Sequence, residues 1–419
     1  MSGEDTFSGS DLLNQFELIL ESDPLIDEVG FIHPSQFELL NSEAGSSFSE
    51  THIGDSKEEN PKFWIRDHKL GISTHLLFQL YMAAKDAFTG ALAQYRTLEG
   101  RYNASSSSLD TLESEVMKHS KSILLLSCDF GTAWNSRKLI VSKKQQLSVF
   151  IDELSLSALV LSYSPKSEQA WCHRRWVIKM VAEKCSTLEE IIGKESKLVQ
   201  KIAERSKMNY RAWNHRCWLV TYMTREQVLD ELKKSRDWAR LHVTDNSCFH
   251  FRTRLLLRIL EEFCHKQEDE NVKNTLQTYQ IWQEELDWVA VLIKLYAGRE
   301  ALWLHRRFLS FCWIRHFTTD VGDLPDCSQH KSNINTNIYM FLDNELALVT
   351  SCSTMPDNEF EDFQAQALHA ATYILWLTKQ IPKFRDIRIR EKLSATNMKS
   401  LLVVTCPERS SLWESLALD

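Results

Sequence analysis

A short phrase recurs along this chain: tryptophan, any residue, histidine, arginine. It stands at Trp171/His173/Arg174, Trp213/His215/Arg216 and Trp303/His305/Arg306, with looser copies at Trp134/Ser136/Arg137 and Phe249/Phe251/Arg252. The aromatics at 171, 213, 249 and 303 each lie 18 residues after a glutamate, at Glu153, Glu195, Glu231 and Glu285, and the same count from Glu345 reaches Phe363. That interval holds a helix of about three turns and a short link. Each unit therefore reads as a helix A opened by a glutamate at the positive end of its dipole, a turn, and a helix B carrying the aromatic. A single hairpin cannot bury its apolar face alone, so such units must stack. The expected fold is all-α: a right-handed α-α superhelix (solenoid) of helical hairpin repeats forming a crescent, with essentially no sheet.

Composition supports this reading and excludes several functions. Only 12 Gly and 8 Pro in 419 residues suit long helices. A net charge of -8 argues against a broad nucleic-acid surface. The ten cysteines contain no Cys-x-x-Cys pair and read as free thiols. No apolar run reaches the ~18 residues of a membrane span, and the polar opening MSGEDTFSGS is not a secretory signal. A cytoplasmic location is expected.

Along the chain, residues 1–109 read as an N-terminal extension, with a Ser/Glu/Gly-rich loop at about 41–60 and a helical part at about 61–99, broken near Gly71 or Gly90. Gly100 to Ser108 reads as a linker, and Asp110 with Glu113 suggests a capped helix start. The repeat array then occupies 110–419, with polar surface insertions at Glu261 to Thr278 and Thr318 to Asn337. A last hairpin, Arg388 to Leu416 with Trp413, would cap it.

The motif aromatics Trp134, Trp171, Trp213, Phe249 and Trp303 read first as packing between neighbouring hairpins. Arginine three positions later shares nearly the same helix face, so Arg174, Arg216, Arg252 and Arg306 can fork onto a helix-A carboxylate or onto carbonyl groups. The imidazoles of His173, His215 and His305 belong to different repeats, about 10 Å apart for packed helices. Zinc needs ligands about 2 Å from one centre, so no metal site is expected from them. No nucleophile elbow, phosphate loop, metalloprotease helix or kinase signature is present. That leaves an interaction scaffold or one half of an enzyme.

With these units laid out, PKSEQAWCHRRW (165–176) and NYRAWNHRCW (209–218) resemble the α-subunit repeats of the protein prenyltransferases. The likeness covers about residues 112 to 419. It implies a noncatalytic but required α-subunit that wraps a separate prenyltransferase β-subunit, of the Rab geranylgeranyltransferase type. Zinc and geranylgeranyl diphosphate would belong to that β-subunit, with no cofactor on this chain. Substrates would be proteins with C-terminal cysteines, joined to the prenyl group through a thioether. The resemblance gives Lys166 the role of a diphosphate contact, and puts Asn209, Tyr210, Arg211, His173 and His215 on the substrate side or the subunit interface. Glu168 stands where the family often has tyrosine, and would compete for Lys166 and repel diphosphate. Arg211 replaces a frequent histidine and keeps a positive charge there. The rival readings are a helical scaffold without a transferase role and a farnesyltransferase-type α-subunit.

Overall fold

The computed structural model describes residues 8–42, 62–100, 105–183, 187–265, 272–317, 338–353, 361–380 and the single positions 403 and 407. The loop read at about 41–60, the Thr318 to Asn337 insertion and the final hairpin fall almost wholly outside them. The chain divides into two compact units, Met1–Arg216 and Cys217–Asp419. Each is built mainly of helical hairpins, as the repeat spacing predicted, and the first also carries a small three-stranded sheet that the expectation of essentially no sheet did not include.

The first unit opens with α1 (Gly9–Ser22), β1 (Glu28–Ile32), α2 (Pro34–Ser42), β2 (Phe63–Arg66), β3 (Lys69–Ser73) and α3 (Leu77–Glu99). Residues 63–73, expected to be helical, are instead two strands. β2 and β3 pair antiparallel with Arg66 opposite Lys69, and β1 joins β3 in parallel with Glu28 opposite Lys69. The hairpin turn is Asp67-His68, with φ 48° and 60°. Two consecutive positive φ values match the twist of a hairpin, and they usually select Asn-Gly or Asp-Gly; a histidine in the second place hides the signal. Gly71 belongs to this sheet, where a Cβ would lie 2.1 Å from Ile32 Cδ1. Gly90 does not break α3, which is continuous.

α4 (Ser106–Leu126) packs along α3 as a hairpin partner, so the boundary read near 109 falls inside this unit. Its cap is Ser105, whose Oγ accepts from the Ser108 N–H at 3.2 Å, one turn earlier than Asp110 suggested. α1 is tied to α4 by the buried Glu17, which accepts from Ser122 Oγ at 2.8 Å and meets His119 Nδ1 at 2.8 Å. Next come α5 (Gly131–Lys144), α6 (Leu147–Tyr163), α7 (Glu168–Ala182), α8 (Leu188–Arg205) and α9 (Tyr210–Leu219). α6 buries Phe150, Leu154, Ser157 and Leu161, a three-and-four spacing that defines one helical face.

The second unit repeats the pattern with α10 (Arg225–Leu241), α11 (Asn246–His265), α12 (Val272–Leu295), α13 (Glu300–His316), α14 (Ile338–Ser353) and α15 (Glu361–Gln380). α10 starts with a capping box between Thr224 and Gln227. The insertion read at Glu261 to Thr278 is partly helix, since α11 runs on to His265 and α12 begins at Val272.

Candidate functional site

The repeated glutamates do not open their helices. Glu153, Glu195, Glu231, Glu285 and Glu345 lie in the interiors of α6, α8, α10, α12 and α14, at most 8% exposed. A carboxylate so enclosed needs charged, hydrogen-bonded partners. For Glu153 they come from two different repeats. Arg137 of α5 donates through Nε at 3.0 Å and Nη2 at 2.5 Å. His173 of α7 adds its Nε2 at 2.7 Å.

The same knot recurs. Arg174 forks onto Glu195 at 2.6 and 2.5 Å, and His215 Nε2 lies 2.8 Å from the same carboxylate. In the second unit Arg252 forks onto Glu285 at 2.8 and 2.6 Å, with His305 Nε2 at 3.0 Å. Arg306 then forks onto Glu345, where Tyr373 replaces the imidazole and donates its O–H at 2.6 Å. Phe363, which the count from Glu345 selects, is only half-buried, and the working aromatic is Tyr373. Each arginine also reaches back into its own hairpin. Arg174 Nη1 donates to the Leu154 carbonyl at 2.5 Å and to Ser157 Oγ at 2.9 Å, and Arg137 and Arg252 reach Ser120 and Ser235 likewise. These serines escaped the sequence reading, although Glu-Leu-x-x-Ser at 153–157 and 231–235 is a visible signal.

The aromatics complete the lattice. Trp134, Trp171, Phe249 and Trp303 are buried, and each ring lies against the imidazole or phenol of the following repeat: Trp134–His173 at 4.6 Å, Trp171–His215 at 4.9 Å, Phe249–His305 at 5.4 Å, Trp303–Tyr373 at 5.5 Å. Trp213 is also buried, with the Arg216 guanidinium over its ring at 5.4 Å. His173 and His215, expected on the substrate side or the subunit interface, are enclosed within the chain. The physical reason is the carboxylate, which burial obliges to find a donor beyond the arginine.

The electrostatics follow. Burial would raise the Glu153 and Glu195 carboxyl groups, but Arg137 with His173, and Arg174 with His215, pull each down to about 2. Arg252 and His305 hold Glu285 low against the same burial penalty. Burial lowers His173, His215 and His305, so each is neutral and donates through Nε2–H. At His173 a second proton would sit on Nδ1, which is buried with no hydrogen-bond partner among the described residues. On acidification the unfolded chain therefore takes up protons at its histidines, near pH ~6.5, before the fold does. Stability should start to fall below that pH and fall further as the carboxylates lose their advantage toward pH ~2. Urea midpoints measured from pH 7.5 downward test this on the order of single pH units. A rise in stability on acidification would show instead that the imidazoles are charged in the fold.

The remaining candidates lie on an exposed edge, where two turns are pinned together. The Pro165 carbonyl accepts from Trp171 Nε1 at 3.0 Å and from Asn209 Nδ2 at 2.8 Å. Asn209 is buried, and its Oδ1 accepts from the Ala212 N–H at 3.1 Å, capping α9. Lys166 is exposed in the first turn; Tyr210, 71% exposed, and Arg211 follow the second. Glu168, at the start of α7, does not take Lys166. Its Oε2 accepts from Arg211 Nε at 2.7 Å and its Oε1 from Arg175 Nη2 at 2.9 Å. Burial would raise this carboxyl, and Arg211, Cys172 and Arg175 bring it below its ordinary value. Among the described residues no group of three or more His, Cys, Asp and Glu side chains could hold a metal ion, and no helix is long and apolar enough to cross a membrane.

Comparison with known proteins selects the same residues. The family model for the protein prenyltransferase alpha subunit repeat matches 150–181, 192–223 and 282–313. Those windows enclose Glu153, Glu195 and Glu285 with the phrases at 171–174, 213–216 and 303–306, whereas Arg137 and Arg252, which fork onto Glu153 and Glu285, lie outside them. The chain is 32% identical over 230 residues to protein prenyltransferase alpha subunit repeat-containing protein 1 of Danio rerio, covering 46% of this chain and 53% of that one. It is 30% identical over 239 residues to the Homo sapiens protein of the same name, covering 47% and 59%. It is 24% identical over 208 residues to the geranylgeranyl transferase type-2 subunit alpha of Homo sapiens, covering 47% and 34%. The chain thus spans about half the length of the curated relatives it matches. Over the matched windows the chain is similar to protein prenyltransferase α-subunit repeats, and each window carries one of the buried glutamates with the Trp-x-His-Arg phrase that follows it.

Proposed function

We propose that the chain acts as the noncatalytic but required α-subunit of a cytoplasmic, heterodimeric protein geranylgeranyltransferase that attaches a prenyl group through a thioether to C-terminal cysteines of target proteins. The observation that carries this reading is the repeat itself, which the chain has in common with a protein named as a geranylgeranyl transferase type-2 α-subunit. The partner in this reading is a β-subunit of the Rab geranylgeranyltransferase type. Geranylgeranyl diphosphate and zinc reside there, and the zinc supplies an ionised substrate thiol. Support on this chain comes from a cationic edge: the exposed Lys166 and Arg211, with the half-buried Arg175 beside them, offer donors to the oxygens of a departing diphosphate, where charge builds as the bond breaks.

The test is co-expression with a Rab-type β-subunit, isolation of a 1:1 complex, and single-turnover prenyl transfer. In that complex Lys166→Ala should slow the chemical step, raising its barrier by about 2 to 4 kcal/mol, while leaving assembly intact, because its charge matters most in the transition state. Wild-type transfer by Lys166→Ala would remove that residue from the reading. A chain that ignores every β-subunit offered would favour a scaffold role instead.

A further inference from the structure

The small sheet of the first unit ends differently on its two sides. Its order is β1-β3-β2, so β1 and β2 are both edge strands. The outer edge of β1 is closed by α6, where Ser162 Oγ accepts from the Val29 N–H at 3.1 Å. β2 has no such cover. The Ser73 N–H donates to the Lys62 carbonyl at 3.0 Å, which sets the alternation of the ladder: Lys62, Trp64 and Arg66 turn their backbone groups toward β3, and Phe63 and Ile65 turn theirs away from it. Among the described residues no hydrogen bond meets those outward N–H and C=O groups. Side chains alternate too. Phe63 faces inward, stacked 5.8 Å from Phe16, and Ile65 follows it at the rim, 47% exposed. Lys62, Trp64 and Arg66 share the opposite face.

We propose that β2 is a docking edge for an extended segment of a partner protein, added to the sheet as a further strand, with acidic side chains at alternate positions on either side of an apolar one. The outward N–H and C=O groups of Phe63 and Ile65 specify the backbone, because another extended chain offers acceptors and donors at the same spacing. Charge specifies the side chains. From 62 to 66 the strand carries Lys62 and Arg66 and no carboxylate. The Arg66 side chain is 46% exposed, and its ion pair with the adjacent Asp67, at 3.5 Å, is a weak surface contact. In the next strand Lys69 is held by Asp27 and Glu28. A segment laid along β2 would set its carboxylates beside Lys62 and Arg66 and its apolar residue against Trp64. A second copy of this chain fits badly: the antiparallel register that uses both Phe63 and Ile65 places Lys62 of each copy opposite Arg66 of the other. The cations repel a like edge and admit an acidic one.

The experiment is fluorescence anisotropy of a labelled peptide, Ser-Glu-Val-Tyr-Val-Glu-Ser, titrated with the full chain. Ile65→Pro removes an outward N–H and no bond to β3, so the sheet should persist while the peptide binds on the order of tenfold more weakly, the scale of a backbone hydrogen bond lost. Arg66→Glu should weaken this peptide by a similar factor and strengthen its counterpart with lysine in place of both glutamates. The same peptide N-methylated at both valines, whose amides would pair with Phe63 and Ile65, should not bind. Circular-dichroism melts check that the variants stay folded, and if Ile65→Pro unfolds, the N-methylated peptide decides alone. Equal affinity for the N-methylated and unmodified peptides, or for wild type and a folded Ile65→Pro, overturns strand addition. Indifference to Arg66→Glu overturns the acidic partner, and no binding of the acidic peptide to wild type overturns both. The assay contains no β-subunit and no prenyl donor, so its outcome is separate from the α-subunit reading.

Discussion

Arg174→Ala should destabilise the first unit by about 3 to 5 kcal/mol, the cost of removing one partner from a buried, hydrogen-bonded charge pair. Arg174 is 3% exposed and serves four acceptors: both oxygens of Glu195, the Leu154 carbonyl and Ser157 Oγ. Its loss leaves Glu195 with His215 alone, and the neutral imidazole supplies a hydrogen bond but no charge. The adjacent Arg175 is the internal control. It pairs with Glu168 at the surface, where such contacts contribute about 0 to 1 kcal/mol, so Arg175→Ala should unfold close to wild type. Urea unfolding followed by circular dichroism compares the two. Equal midpoints would mean that the buried knot adds nothing beyond a surface pair. Replacing Arg174 and Glu195 together by apolar residues of similar volume should recover much of the loss, because the desolvation of both charges disappears with them.

A second large effect is expected at Trp171, with a loss of about 3 to 5 kcal/mol for Trp171→Ala. The ring is fully buried, lies 4.9 Å from the His215 ring of the next repeat, and donates its N–H to the Pro165 carbonyl. Alanine would open a cavity between successive repeats, and rigid surroundings close such cavities only in part. Trp171→Phe keeps most of the volume and forfeits the hydrogen bond, so its loss should be smaller. Differential scanning calorimetry ranks the three proteins. If Trp171→Ala melts with wild type, the tryptophan is not a packing element of the repeat.

Why the repeat was legible and its chemistry less so follows from what spacing can carry. An interval of 18 residues between Glu153 and Trp171 reports that two helices face each other. It says nothing of depth, so the glutamates read as helix openers although they sit in mid-helix with less than a tenth of their surface exposed. The fork of the motif arginine onto a helix-A carboxylate and onto a carbonyl was legible, but spacing does not say that the carboxylate belongs to the next repeat, as Glu195 does for Arg174. Tyr373 was invisible for a related reason: it supplies a hydroxyl where the earlier repeats supply an imidazole, from a different position in its helix. The β2–β3 hairpin escaped because Asp67-His68 lacks the glycine that marks such turns. On the exposed edge, sequence set Glu168 against Lys166 by proximity in the chain, whereas the fold gives it to Arg175 and Arg211.

Because Glu153, Glu195, Glu285 and Glu345 are each shared between an arginine before them and an imidazole or phenol after them, the array has a reading frame for gaining and losing units. Excising residues 138–174 would carry Arg137 forward to Glu195 with His215 still behind it, leaving no charge stranded. A cut of the same length begun directly after Glu153 would remove His173 and Arg174 but keep Glu195, leaving two buried carboxylates to one arginine. Deletion in such a chain is therefore constrained to segments that remove one arginine, one glutamate and one imidazole together, which loss of the whole α6–α7 hairpin also does.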